Sequence, residues 1–373
     1  MSNSVVRVLH VLHSLSCGGA EMMIMNLYRN IDRSKIQFDF MLHSSVKGVF
    51  EEEVLSYGGR IFRVPYFNGF NSFKYSHAVR DLLISHPEIS VIHGHLGSCA
   101  HIYLNEARKL GRFTIAHSHN TNPKNVSIKN IAYRFFTLKT RKIADYYFAC
   151  SQKAGLDRFG KRIVEDKSKY KVFYNAIDCL KYSFNPNTRE KMRDELCIND
   201  RYVLGHVGRF NEQKNHEYLV SLFNEYHNIN TDSILVLVGD GELRSAIQNK
   251  VEDLHLSNSV RFLGLRNDVD KLLQAFDCMV FPSKYEGLPT TIVEAQAAGL
   301  PCIISDTITN EVILSNLVNQ VPLSNDYSEW IKYIDDCKSV QRTNRQEELK
   351  TSGYDISDTS NWLMDFYISH SST

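Results

Sequence analysis

Short apolar, β-branched runs alternate with amphipathic stretches along the whole chain. In the first half the pattern predicts strands over 5–13, 38–43, 60–64, 91–95, 113–119, 146–150 and 171–174. Helical spacing predicts helices between them, over 20–30, 73–85, 99–110, 128–143 and 152–159. The rhythm weakens in the polar stretch 178–200 and restarts with strands over 202–207, 234–238, 260–263, 278–281 and 301–305. Near-continuous apolar strands separated by helices imply parallel sheets covered on both faces. The expected fold is α/β, with two Rossmann-like, doubly wound domains over 1–180 and 181–355; segment 356–373 is placed with the first. With strand carboxyl ends on a common side, such halves put a cleft between them, and ligands of open parallel sheets bind at those ends. The residues just after strands are therefore where chemistry is sought.

The strongest signal runs from Phe281 to Ala295. A strand ends at Phe281, a loop carries Glu286 and Gly287, and Pro289 stands where a helix should begin. Glu294 is the one charged residue of the apolar helix that follows. A carboxylate on a buried helix needs a partner, and sugar hydroxyls suit it. The amides of Gly287, Leu288 and the first helical turn form a donor cluster for an anion. Upstream, the run Val203–Asn215 leads a strand into Gly208 and then sets Arg209 and Lys214 on the following loop, where two cations would clamp a diphosphate. The arrangement expected is Glu294 on a ligand's sugar hydroxyls, facing those two cations.

Other signals are weaker. Gly18-Gly19 follows the first strand and opens a helix, which favours an anion. Gly239-Asp240-Gly241 lacks the third glycine of a dinucleotide fingerprint, because position 244 is Arg. Histidines gather after two strands, as the pairs His93/His95 and His117/His119, with His101 nearby. No carboxylate bridges the pairs, and strand period alone sets i and i+2 on one face. They are therefore read as hydrogen-bonding groups rather than a metal site, with His93 and His101 as satisfied histidines beneath the loops.

Composition narrows the classes. The formal net charge is +1, from 43 Lys+Arg against 42 Asp+Glu, which disfavours general nucleic-acid binding. Residues 121–173 nevertheless hold 13 Lys/Arg and 4 Asp/Glu. Within them, 126–143 reads as a cationic, aromatic-bearing amphipathic segment that either packs on the sheet or lies on an anionic membrane. Eight scattered cysteines without a C-x-x-C pair suit a reducing, cytoplasmic setting. No stretch of 18 uninterrupted apolar residues occurs, so the expectation is a cytoplasmic protein, at most peripheral at the inner face of the plasma membrane.

Taken in order, Gly18-Gly19, Val207-Gly208-Arg209-Phe210 with Lys214, Val238-Gly239-Asp240-Gly241, Phe262-Leu263-Gly264, and Tyr285-Glu286-Gly287-Leu288-Pro289 with Glu294 resemble the retaining glycosyltransferases of family 4, which have the GT-B fold. The match spans essentially the whole chain. The resemblance implies a nucleoside-diphosphate-sugar donor as co-substrate, UDP-sugar ranked ahead of GDP-sugar, with no cofactor and no metal. It implies a glycan or lipid-linked acceptor in surface-polysaccharide synthesis. Arg209 and Lys214 would hold the diphosphate, Glu286 the donor sugar beside the Gly287 and Leu288 amides, and Glu294 the ribose. Leu263, Gly264 and Leu265 would present backbone to the base, and Gly19 would lie near the phosphates or acceptor. The family's strand-tip histidine matches His119, with His117 as the second choice. Two alternatives stand beside this reading: a nucleotide-sugar epimerase or hydrolase on the same fold, and a GT-B-like binding protein without turnover.

Overall fold

A computed structural model describes residues 5–16, 18–119 and 137–371. The chain forms two compact units, one running to Ala176 and resuming at Ile356, the other Ile177–Asp355. The first contains seven parallel strands: β1 (Val6–Leu12), β2 (Ile36–Leu42), β3 (Ile61–Arg63), β4 (Ile89–Gly94), β5 (Phe113–Ser118), β6 (Tyr146–Ala149) and β7 (Tyr170–Val172). Their order in the sheet is β3-β2-β1-β4-β5-β6-β7. The second contains β8 (Tyr202–Val207), β9 (Ser233–Val238), β10 (Val260–Gly264), β11 (Cys278–Phe281), β12 (Cys302–Ser305) and β13 (Val318–Val321), ordered β10-β9-β8-β11-β12-β13.

Both orders reverse direction once, between β1 and β4 in the first sheet and between β8 and β11 in the second. At such a switch point the flanking loops lead to opposite faces and leave a crevice at the strand carboxyl ends. The segments singled out in the sequence lie there: Ser14–Gly19 follows β1, Gly208–Lys214 follows β8, and Pro282–Leu288 follows β11.

Inner strands such as β9 and β11 are buried along their whole length and so read as nearly unbroken apolar runs. One core of the first unit gathers Val8, Phe38, Phe40 and Phe148 with Leu363, Phe366 and Tyr367 of the helix Ile356–Ser371. Segment 356–373, which helical spacing alone lets pack on either half, thus supplies part of the first unit's core.

Two local outcomes differ from the sequence pattern. The stretch 178–200 is not a linker but holds the helices Cys179–Tyr182 and Pro186–Leu196, both in the second unit. Asn185 caps the longer one by accepting from the Thr188 amide, and Pro186 fills its first turn. Its inward face is cationic: Arg193 is buried and donates to the carbonyls of Ala275, Ile198 and Asn199. Hydrogen bonds there do what apolar contacts usually do, so the helix reads as polar. The second difference is β13, absent from the pattern. Most of the cationic segment 126–143 lies outside the described residues. Among the described cysteines none forms a disulfide, and all but Cys197 are buried. Among the described residues no helix is long and apolar enough to cross a membrane.

Candidate functional site

In the second unit the loops after β8 and β11 are stitched together. The Lys284 amide donates to the Gln213 carbonyl at 2.8 Å, and Asn215 Nδ2 donates to the Pro282 carbonyl at 3.2 Å. This brings Lys214 and Glu286 into an ion pair, Nζ to Oε1 at 2.7 Å, with side chains only 17% and 8% exposed. Gln213 Nε2 holds the other Glu286 oxygen at 3.0 Å. The Lys214 ammonium also lies 4.6 Å from the centre of the Phe281 ring, the last residue of β11. The cation is thus fixed by a carboxylate, an aromatic face and its own loop, just beyond the strand ends.

The glycines of this region serve close packing. Gly239, after β9, has φ 135°, and a Cβ there would stand 2.1 Å from the Gly208 carbonyl oxygen. The loops after β8 and β9 can meet only because that Cβ is missing. The Phe210 amide completes their contact by donating to the Asp240 carbonyl at 3.0 Å, and the Gly239 amide ties the second loop to β10 by donating to the Gly264 carbonyl at 2.8 Å. Leu263 and Gly264 therefore end β10 beside this loop, and Leu265 is exposed.

Arg209 and Glu294 take no part in the Lys214–Glu286 ion pair. Arg209 points to the surface, where its side chain is 71% exposed and meets Glu242 at 3.2 Å. Glu294, half-buried on the helix Thr290–Ala297, does not pair with Arg209 or Lys214. The Tyr182 hydroxyl and the Lys181 ammonium are the groups that favour its charged form. Burial raises its pKa to about 7, against the lowering effects of Tyr182 and Lys181, while Asp270 adds to the rise. Without a ligand, neither cation pairs with Glu294: Lys214 is held by Glu286, and Arg209 by Glu242 at the surface. The same helix begins just after Pro289 and has no side-chain cap. Gln213 and Tyr182 are site residues the sequence reading missed. Gln213 adjoins Lys214 in a segment already singled out, whereas Tyr182 gave no signal.

In the first unit, Gly19 is the first residue of the helix Gly19–Asn30, which also lacks a side-chain cap. A Cβ on Gly19 would meet nothing within 4 Å. The space above this helix start is open, so its glycine permits approach rather than relieving a clash.

The histidines after β4 and β5 join a larger group. His10, His93, His95 and His117 are buried, and His119 is half-buried. His10 Nδ1 meets His95 Nε2 at 3.0 Å, and His95 Nδ1 meets His119 Nε2 at 2.8 Å. His93 Nε2 meets His117 Nδ1 at 3.1 Å, and His93 Nδ1 meets the Tyr367 hydroxyl at 2.6 Å. Burial keeps all five neutral. It lowers His10 to about 3 although Asp39 pulls the other way, and His119 to about 4 with help from Arg158. His93, His95 and His117 fall well below the usual range for the same reason, aided by one another. His101 lies apart, lowered to about 4 by burial and Lys139.

Comparison with known proteins gives a consistent picture. The model of "Glycosyltransferase Family 4" matches residues 17–180, and that of "Glycosyl transferases group 1" matches residues 188–355. The chain is 36% identical to EpsF of Bacillus subtilis, a provisionally assigned glycosyltransferase, over 98% of this chain and 97% of that one. It is 35% identical to the Escherichia coli UDP-Gal:alpha-D-GlcNAc-diphosphoundecaprenol alpha-1,3-galactosyltransferase over 42% of this chain and 41% of that protein. Among solved structures it is similar to Anabaena Alr3699/HepE in complex with UDP and glucose, with a TM-score of 0.77 and 19% identity, covering 98% of this chain and 100% of the other.

Proposed function

This chain belongs to the family 4 glycosyltransferases, and from that premise we propose that it transfers a sugar from a nucleoside-diphosphate donor to a glycan or lipid-linked acceptor, with retention of anomeric configuration, in the building of a surface polysaccharide. The observation that carries the donor reading is the Lys214–Glu286 pair set beside an uncapped helix start at the β8/β11 switch point. A nucleoside diphosphate leaves with charge growing on its β-phosphate, and a fixed cation with oriented amides stabilises that charge without reorganising. Glu286 holds Lys214 in place and lies beside the donor sugar. Arg209 is restrained only by an exposed ion pair, worth under about 1 kcal/mol, so little opposes its swing to a bound diphosphate. Leu263, Gly264 and Leu265 present backbone to the base, and Gly19 leaves room for the acceptor or phosphates. The UDP named for the Anabaena structure and the UDP-Gal and diphosphoundecaprenol named for the Escherichia coli relative favour a UDP-sugar and a lipid-linked acceptor.

Glu294 supplies a discriminating test. Its carboxylate accepts from the ribose hydroxyls best when ionised, and its pKa of about 7 leaves the free protein only about one-tenth ionised at pH 6 and about nine-tenths at pH 8. Donor affinity is expected to tighten close to tenfold across that range in the parent and to stay flat in Glu294→Gln. Titration calorimetry with a panel of UDP- and GDP-sugars reads both the base preference and this slope. A slope that persists in the variant would move the ribose contact elsewhere.

We extend the proposal to a peripheral membrane position. A cavity of about 820 Å³ in the first unit is lined by Arg108, Arg141, Lys142, Lys161, Arg162 and Lys169, against only Asp145 and Asp166. Such a surface would draw the enzyme to anionic headgroups near a lipid-linked acceptor. Co-sedimentation with phosphatidylglycerol vesicles is expected and with neutral vesicles is not; equal recovery from both removes this part of the reading.

A further inference from the structure

The five histidines of the first unit fall on adjacent strands of one sheet. His10 of β1 stands directly opposite His93 of β4 in the strand register. His95 and His119 follow β4 and β5 by one residue, and His117 lies within β5. Alternation brings all five rings to one face. Their centroids form a continuous array, 4.4 Å apart for His93 and His95 and 4.1 Å for His117 and His119. Core positions on such a face are ordinarily filled by Val, Ile or Phe, as Phe38, Phe148 and Phe173 are on the same side. Five imidazoles in their place cost desolvation without supplying equal packing.

We infer that His95, His117 and His119 form a binding site for one borderline divalent cation of the zinc type. Each offers one ring nitrogen, and the three nitrogens lie within 4.8 Å of one another. Around an ion with bonds of about 2.0–2.1 Å, ligand nitrogens stand about 3.3 Å apart, so small ring rotations close the set. His10, His93 and His95 form a second such group sharing His95, so the two groups compete for one ion rather than hold two.

Two features favour the outer group. The His117 ring is 5% exposed, and among the described residues no partner reaches its Nε2. Two of the three rings, moreover, have their far nitrogen held by another side chain. His117 Nδ1 is held by His93, itself anchored on Tyr367, and His95 Nε2 is held by His10. Metal-bound histidines are characteristically fixed in this way, because the bond on the far nitrogen sets tautomer and ring orientation. His10, His93 and Tyr367 would thus orient the ligands rather than bind the ion. The rings are already neutral, so an ion need displace no proton charge to bind. The sequence showed two separate i, i+2 pairs lacking a carboxylate bridge; folding supplies the third ligand from the neighbouring strand instead.

The test uses the full chain without a polyhistidine tag, stripped with chelator and dialysed against Zn²⁺ or Co²⁺. One equivalent of metal is expected to remain by elemental analysis, with a ligand-field spectrum for Co²⁺ and a raised melting temperature for Zn²⁺. His117→Gln and His119→Gln should each weaken binding about 100-fold, and His77→Gln, on an exposed helix position, should not. His119 lies one residue past its strand and is only half-buried, so His119→Gln decides the matter if His117→Gln does not fold. Failure of the parent to retain metal, or equal retention by His119→Gln, overturns the site. Neither result depends on glycosyl transfer, so the readout is separate from the donor assays.

Discussion

Lys214→Ala is expected to lower kcat/KM for the nucleotide-sugar donor about 300-fold, equivalent to about 3.4 kcal/mol of transition-state stabilisation. The loss should appear mainly in kcat. The ammonium is most valuable as charge moves onto the leaving diphosphate, less so against the donor already carrying its ground-state charge. The structure bears on the size of the effect because Lys214 is held before any ligand arrives, by Glu286 at 2.7 Å and by the Phe281 ring. A cation so fixed needs no reordering at the moment of reaction. Lys214→Arg should recover only part of the loss, since a planar guanidinium does not fit the pair geometry of an ammonium. Removing Lys214 also leaves Glu286 with Gln213 alone, so circular dichroism and melting must show the variant folded before rates are compared. Steady-state rates within a factor of three of the parent would remove Lys214 from the chemistry.

Acid should unfold the first unit at a pH where most proteins of this size remain folded. In chelator-containing buffer, each buried neutral histidine of the five-ring group takes up a proton only when the chain unfolds. Their folded pKa values are lowered, so below about 6.5 the unfolded state binds more protons and stability falls as pH falls. Above about 7 there is no penalty. At pH 5 each such group costs about 2 kcal/mol, and the five together on the order of 10 kcal/mol. That rivals the 5–15 kcal/mol typical of a whole folded domain. His43, lowered to about 4 by burial, adds in the same direction. The two tryptophans allow the units to be followed separately. Trp362 packs against Phe173 and Phe148 in the first, and Trp330 is fully buried in the second. In Trp330→Phe, Trp362 fluorescence should report a transition centred between pH 5 and 6. A signal flat to pH 4.5 would show that the rings charge without leaving the core.

Much of the fold could be read from apolar runs because both sheets are covered on two faces. Residues 202–207 and 278–281 stand in the structure with those same bounds. β13 escaped because Val318-Asn319-Gln320-Val321 is a sheet edge paired only with β12, where two polar residues are tolerated. The helix Pro186–Leu196 escaped because Arg189 and Arg193 make hydrogen bonds to the carbonyls of 274–276 in place of apolar contacts.

The site divides the same way. Lys214 and Glu286 were visible because each lies a few residues past a strand, and the strand order makes those loops neighbours. Tyr182 was not, because its approach to Glu294 depends on a four-residue helix that no periodicity marks. His10 was likewise hidden. It is a lone histidine on β1, and only the placement of β4 beside β1, with two strands skipped, sets it opposite His93.

The helix Ile356–Ser371 packs into the first unit although the whole of the second precedes it in the chain. During translation the usual order, amino-terminal domain first, is therefore reversed. The second unit has all its residues available while the first still lacks Leu363, Phe366 and Tyr367 from its core. A ribosome-bound nascent chain would carry a finished carboxyl-side domain and an amino-side sheet with one apolar face covered only in part, by the helix Gly19–Asn30, a state in which chaperone capture and proteolysis compete with completion.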